Sequence, residues 1–308
     1  MHWTKHGRIY VPDGSMAWAQ HYAFPPTPLW RPDGSLRLYV AFCDAQTVGR
    51  IGWVDVDPED PRRVLGVSAE PVLDIGQPGA FDENGILPTR VMEVGDEIWM
   101  YYVGYQLGHK VTYFQFQGLA ISRDGGESFT RRQRVPVIDR SDAELVNRTS
   151  AFVREAEGGG FEMWYVGGSE WTVVDGKPLP VYNMRHLRSE DGVTWPAEGR
   201  VCLDFDTEDE HAFGRPWVID AGDGVQQMFY SVRTRTKDYR IGVAESRDGE
   251  TWTRRDADVG IDVSDDGGWD SESMAYAAVI DLPIGRTMFY NGNLRGRTGF
   301  GYATLDEA

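Results

Sequence analysis

The sequence predicts an all-β chain, a five-bladed β-propeller of four-stranded antiparallel blades, and three observations carry that expectation. Aromatic strands recur at near-constant spacing, one turn is written three times, and the 308 residues include 12% aromatics, 36 glycines and 16 prolines. Such a composition suits many short strands joined by tight turns.

The aromatic strands are "LRLYVAF", "IWMYYVG", "FEMWYVGG", "QQMFYSV" and "RTMFYNG". Aligned on Tyr39, Tyr102, Tyr165, Tyr230 and Tyr290, they step by 63, 63, 65 and 60 residues, so five copies account for the chain. Each copy opens on a short apolar strand such as "TSAFVRE" or "RPWVIDA" and passes a Gly/Asp turn before the aromatic strand. A third strand, "GLAIS" or "IGVAES", then runs into a Ser-x-Asp-Gly turn: "SRDGGESF" from Ser122, "SEDGVTW" from Ser189 and "SRDGETW" from Ser246. In these turns Ser and Asp side chains bond the local backbone, Gly accepts a left-handed conformation, and the closing Trp or Phe packs back between sheets. Small antiparallel units repeated radially describe a propeller. The expected blades are residues 15–75, 80–140, 142–205, 208–265 and 268–308, in one domain over 1–308. The last copy ends without a Ser-x-Asp-Gly turn, so a strand at residues 7–12 is expected to supply its fourth strand and hide two edges.

A formal charge of −17, with no stripe of Lys and Arg, excludes nucleic-acid and anionic-membrane partners and leaves neutral ligands such as sugars compatible. Cys43 and Cys202 are expected to be two buried free thiols. The opening "MHWTKHGRIYVPDG" has no apolar signal segment, and no run of about 18 apolar residues occurs, so a soluble, cytoplasmic protein is expected. His-x-x-x-His and Cys-x-x-Cys spacings are missing, as are a phosphate loop and a dinucleotide fingerprint, so neither metal nor cofactor is expected. No Gly-x-Ser-x-Gly elbow is present either.

In a propeller the first strand of each blade lines the central channel. The segments leading into those strands carry a second periodic series, His21, Asp82, Glu144, Glu210 and Glu272, with steps of 61, 62, 66 and 62. Asp270 sits beside the last of them. One ionisable residue per blade predicts an acidic central pocket. Glu83, Asn84, Arg148, His211 and Arg215 accompany the series as substrate contacts. Asp44, Arg233 and Asn293 follow their aromatic strands at comparable offsets and are candidates for a second polar ring. Trp171 and Tyr105, beyond their second strands, are candidates to stack on a sugar at the channel mouth, while His186 reads as structural.

The "MWYVGG" strands, the "SEDGVTW" turns and "FDENG" at Phe81–Gly85 together resemble the β-fructosidase and arabinanase-like superfamily, which includes glycoside hydrolase families 32, 43, 68 and 130. The resemblance implies three acids as base or nucleophile, transition-state stabiliser or pKa modulator, and general acid. They fall on Asp82 (or Glu83), Glu144 and Glu210, with Glu272 in reserve. Cleavage of a glycosidic bond needs such a pair of carboxyl groups. The family's first-blade aspartate is replaced here by His21 in "HYAFPPTP". That departure bears on hydrolysis, and phosphorolysis needs no conventional base, in which case Arg148 and Arg215 are the candidates to hold phosphate. The expected function is therefore a glycoside hydrolase or phosphorylase acting on a small-molecule or oligosaccharide ligand. The alternatives are a propeller that binds carbohydrate without cutting it, and an enzyme of other chemistry on a glycosylated small molecule. The turns also resemble the sialidase Asp-box, but two of the three are a residue short and sialidases have six blades.

Overall fold

The computed structural model describes residues 1–306, and its regular structure is almost wholly antiparallel β. After an N-terminal strand β1 (Trp3–Tyr10), the strands fall into consecutive hairpin-linked groups. The first is β2 (His21–Trp30), β3 (Leu36–Cys43), β4 (Gly49–Val56) and β5 (Val64–Val67). The second is β6 (Ile86–Val94), β7 (Glu97–Leu107), β8 (Tyr113–Ser122) and β9 (Thr130–Arg131). Next come β10 (Asn147–Glu155), β11 (Phe161–Val174), β12 (Lys177–Ser189) and β13 (Arg200–Leu203). They are followed by β14 (Glu210–Gly222), β15 (Val225–Thr234), β16 (Arg240–Ser246) and β17 (Thr253–Arg254). Finally β18 (Ala275–Leu282), β19 (Gly285–Asn291) and β20 (Phe300–Leu305) pair in order, and β1 joins β20 antiparallel with Trp3 opposite Leu305. Single parallel bridges, Arg148 to Phe116 and Tyr182 to Ala212, connect neighbouring groups, and no sheet closes on itself among the described residues.

The N-terminal strand starts at Trp3, four residues before the expected 7–12. Polar Lys5 and His6 obscured it in sequence, yet both are used. Lys5 Nζ donates to Asp270 Oδ2 at 2.9 Å, and the His6 ring stacks on Tyr302. Trp3 is buried edge-on against Phe229. The β11–β12 hairpin also runs longer than the pattern suggested, turning at Asp175–Gly176, where both residues have positive φ.

The repeated turns have a purpose beyond reversing the chain. Asp191 Oδ1 accepts the Val193 and Thr194 amides at 2.9 and 2.7 Å, and Ser189 Oγ accepts the Gly192 amide. This network leaves the glycine carbonyl facing outward, and an aromatic donor from the preceding group takes it. Tyr39 donates to Gly126 O at 2.8 Å, Tyr101 to Gly192 O at 2.6 Å and Trp164 Nε1 to Gly249 O at 2.8 Å. The turns thus staple adjacent groups of strands together.

Buried tyrosines of the 63-residue series meet a second polar partner. Tyr102 donates to Asp82, Tyr165 to Glu144, Tyr230 to Asp256 and Tyr290 to Asp270, all within 2.9 Å. Large aromatics fill the space between groups, with Trp164, Trp217 and Phe213 in the largest cluster.

The turn carboxylates make the fold acid-sensitive. Asp191 is drawn down to about 2, chiefly by the Thr194 amide; at Asp124 partial burial acts upward, but the Ser122 and Ser128 hydroxyls outweigh it and hold it at about 2. Depressed folded pKa values give stability that is complete above the unfolded value near 4 and disappears as pH falls toward 2. The urea midpoint is therefore expected to decline between pH 5 and pH 2, and Asp191→Asn to flatten that decline relative to the parent protein.

Candidate functional site

The first strand of every group slips register as it nears the axis. The slips fall at His21/Phe24, Pro88/Arg90, Thr149/Phe152, Gly214/Trp217 and Ala275/Ala278. At three of them a non-glycine residue takes left-handed backbone: Tyr22 (φ 62°), Ser150 (φ 56°) and Tyr276 (φ 59°). Such residues cost about 1–3 kcal/mol each and persist where surrounding structure imposes them. The bulges re-aim side chains into a central cavity of about 280 Å³.

Six tyrosines dominate its wall: Tyr22, Tyr105, Tyr113, Tyr182, Tyr239 and Tyr276. Gln115 Nε2 donates to the Tyr105 hydroxyl at 2.8 Å, and the Tyr182 and Tyr239 hydroxyls lie 3.2 Å apart. Burial pushes Tyr105, Tyr113, Tyr182 and Tyr276 above the ordinary tyrosine pKa, so these phenols are neutral at neutral pH. Arg233 and Arg295 stand at the rim. Below opens a recess of about 30 Å³, with Arg215 and Ser150 in its wall.

Arg215 is buried and has no carboxylate partner. Its guanidinium donates to Pro26 O (2.8 Å), Thr27 Oγ1 (2.9 Å), Tyr276 O (3.1 Å) and Thr89 O (3.3 Å), while Nε has no partner. Burial, then the nearby Arg90, presses its pKa down to about 9, which leaves it charged at neutral pH.

Neither cavity has an aspartate or glutamate in its wall. The cavity wall is phenolic and cationic rather than acidic: Asp82, Glu144 and Glu210 of the periodic series are engaged elsewhere, and Glu272 is exposed. Asp82 accepts Tyr102 and Arg131, the latter at 2.7 Å. Glu144 accepts Tyr165 and the Gly199 amide, both at 2.7 Å, with Arg148 at 3.4 Å and Arg185 at 3.7 Å. Glu210 is clasped by both terminal nitrogens of Arg254 at 2.7 and 2.8 Å; burial would raise its pKa, and Arg254 outweighs it. The structure does not bring Asp82, Glu144 and Glu210 to one cavity.

Of the other expected contacts, Asn84, Tyr105 and Arg233 line the main cavity and Arg215 the recess. The remaining contacts lie outside both walls. His21 is opposite Cys43, Asp44 accepts the Gln46 and Val48 amides and Arg50, and Glu83 accepts the Gly79 amide. Arg148 donates to Asp139 O and Pro196 O, so it is not free to take phosphate. Trp171 meets Phe114 edge-on in the long hairpin, Glu272 is exposed, and Asn293 Oδ1 accepts the Glu272 and Ser273 amides. His211 is buried with neither ring nitrogen partnered; burial and then Arg233 lower its pKa. His186 is 3.7 Å from Glu162, consistent with a structural place, and both cysteines are buried and free.

Sequence reasoning missed Tyr22, Tyr113, Gln115, Tyr182, Tyr239, Tyr276 and Arg295. Tyr22 and Tyr276 lie inside the very segments "HYAFPPTP" and "WDSESMAYA" that suggested the ionisable series. A search for aromatic rather than charged residues there would have found them.

No family model matches the chain. The Mycobacterium tuberculosis protein Rv1502, described as uncharacterized, is 36% identical over 308 residues, all of this chain and all of that protein. MT1551, from another strain of the same species, matches to the same extent. Among solved structures, a BT0996 RGII complex superposes with a TM-score of 0.72 at 20% identity, over 97% of this chain and 90% of that one. A thermostable family-43 glycoside hydrolase gives 0.68 at 16%, over 96% and 92%. An exo-1,5-alpha-L-arabinanase from a bovine ruminal metagenomic library gives 0.63 at 14%, over 96% and 94%. At these identities the likeness is one of fold.

The placement of Glu144 makes a prediction about stability. Glu144→Gln leaves Arg148 and Arg185 facing a neutral amide in a buried setting, and a loss of about 3 kcal/mol is expected in urea unfolding. The folded variant is expected to bind cavity ligands as the parent does, measured by calorimetric titration.

Proposed function

The chain belongs to the family of the mycobacterial protein Rv1502, and we propose that it is a single-domain five-bladed β-propeller that binds a carbohydrate in its central cavity. Support for the class of ligand comes from the fold, which is shared with structures described as a glycoside hydrolase and an arabinanase. The observation that carries the reading is the cavity wall, six tyrosines with amide and guanidinium donors and no carboxylate. Phenol rings offer flat faces to the C–H side of a sugar ring, and their hydroxyls, with Asn84 and Gln115, suit its hydroxyl groups. A volume of about 280 Å³ suits one ring with its substituents better than a chain of them.

Hydrolysis is a second reading, favoured by the descriptions of those same structures. It requires two carboxyl groups flanking the scissile bond. In this chain Asp82, Glu144 and Glu210 are held by Tyr102, Tyr165 and arginines, away from the cavity. Binding is the reading that the wall favours.

A panel of aryl glycosides and monosaccharides separates the two. Calorimetry is expected to show saturable binding, weakened about tenfold (1.4 kcal/mol) by Tyr239→Ala, with no release of aryl alcohol above buffer, with or without phosphate. Release that disappears in Glu210→Gln would overturn the binding reading and restore a carboxylate mechanism.

A further inference from the structure

Resting on the carbohydrate reading above, we propose that the sugar taken by the cavity is an acidic one, whose carboxylate or phosphate lies against Arg233 and Arg295 above the buried Arg215. Acids outnumber bases 48 to 31 in the chain, and several guanidiniums are matched closely to a carboxylate. Arg37 holds Asp55 at 2.7 and 2.8 Å, Arg254 clasps Glu210, and Arg131 meets Asp82 at 2.7 Å. Arg233 and Arg295, at the cavity, have no carboxylate so close.

Neither Arg233 nor Arg295 has a hydrogen-bonded acceptor among the described residues. Their carboxylate neighbour is Asp238, whose Oδ1 is 3.6 Å from Arg233 Nε and 3.8 Å from Arg295 Nε, too far for a good hydrogen bond. One distant carboxylate between two guanidiniums leaves their terminal nitrogens open to a bidentate anion. Arg215 adds a third positive charge in the adjoining recess, without any carboxylate.

Backbone geometry points the same way. Leu294 and Arg295, in the short helical stretch α1 (Asn293–Gly296), both have left-handed backbone, with φ of 54° and 58°. Two successive strained residues place Arg295 at the cavity rim, where packing alone does not need it, since its side chain is 47% exposed. The facing phenols are neutral hydrogen-bond donors and do not repel an anion. A neutral sugar would leave the two rim guanidiniums with no anionic partner nearer than Asp238.

The test is calorimetric titration at low ionic strength with methyl glucoside and methyl galactoside, their uronates and their 6-phosphates, beside acetate and inorganic phosphate alone. The acidic member of at least one pair is expected to bind about tenfold tighter or more than its neutral counterpart. Which acid wins separates carboxylate from phosphate. The preference is expected to shrink in Arg295→Gln, an exposed position that keeps the fold, and to vanish in Arg233→Gln/Arg295→Gln. Equal affinity for neutral and acidic members, or a preference that survives the double variant, overturns the proposal. Acetate or phosphate binding as tightly as any acidic sugar, with the same arginine dependence, would keep the anion site and overturn the carbohydrate reading instead. Silence from every probe overturns both.

Discussion

The satisfaction of one buried guanidinium governs the geometry near the axis. Taking an ion out of water costs several kcal/mol after relaxation, and Arg215 has no counter-charge to offset it. What offsets it is a set of four acceptors from three strands other than its own: Pro26 and Thr27 on β2, Thr89 on β6 and Tyr276 on β18. Each lies at or beside a register slip. A regular strand turns its carbonyls toward the neighbouring strands, whereas a bulge frees one to turn inward. On β18 the slip that offers Tyr276 O to Arg215 also aims the Tyr276 ring into the cavity, and on β2 a neighbouring slip does the same for Tyr22. Core stability and the shape of the site have a common origin.

Further from the axis, the repeated sequence is explained by a repeated problem. Each group of strands must be fastened to the next, and each must root its aromatic strand. The Ser-x-Asp-Gly turns solve the first by exposing a glycine carbonyl to Tyr39, Tyr101 or Trp164. The carboxylates solve the second by accepting a buried tyrosine hydroxyl, and all but the Tyr230 pair draw on the acids around the strand-leading segments. Two acids of the periodic series, Asp82 and Glu144, thus anchor a buried tyrosine, while Glu210 holds Arg254 instead.

The repeat and its five aromatic strands were legible because each copy answers the same packing demand with the same residue types. Tyr39 to Tyr290 show it at a glance. The cavity was not legible, because a bulge shifts which residue of a segment faces inward, and nothing in "ESMAYA" reveals that Tyr276 rather than Glu272 does so. Arg215 was found for another reason, as a candidate phosphate ligand, and its role as a tie between strands depends on contacts nearly 190 positions distant. Lys5 and His6 concealed a strand for a simpler cause: their partners, Asp270 and Thr304, lie at the other end of the chain.

The left-handed residues around the cavity bear on how firmly its wall is shaped. Tyr22 and Tyr276 are fixed by backbone that few residues tolerate, and each ring has only two side-chain torsions left to settle. A wall of this kind is shaped before its ligand arrives, so little ordering entropy is lost on association. For the proposed sugar, the lifetime of the complex would then be set by how well it meets a wall that is already in place.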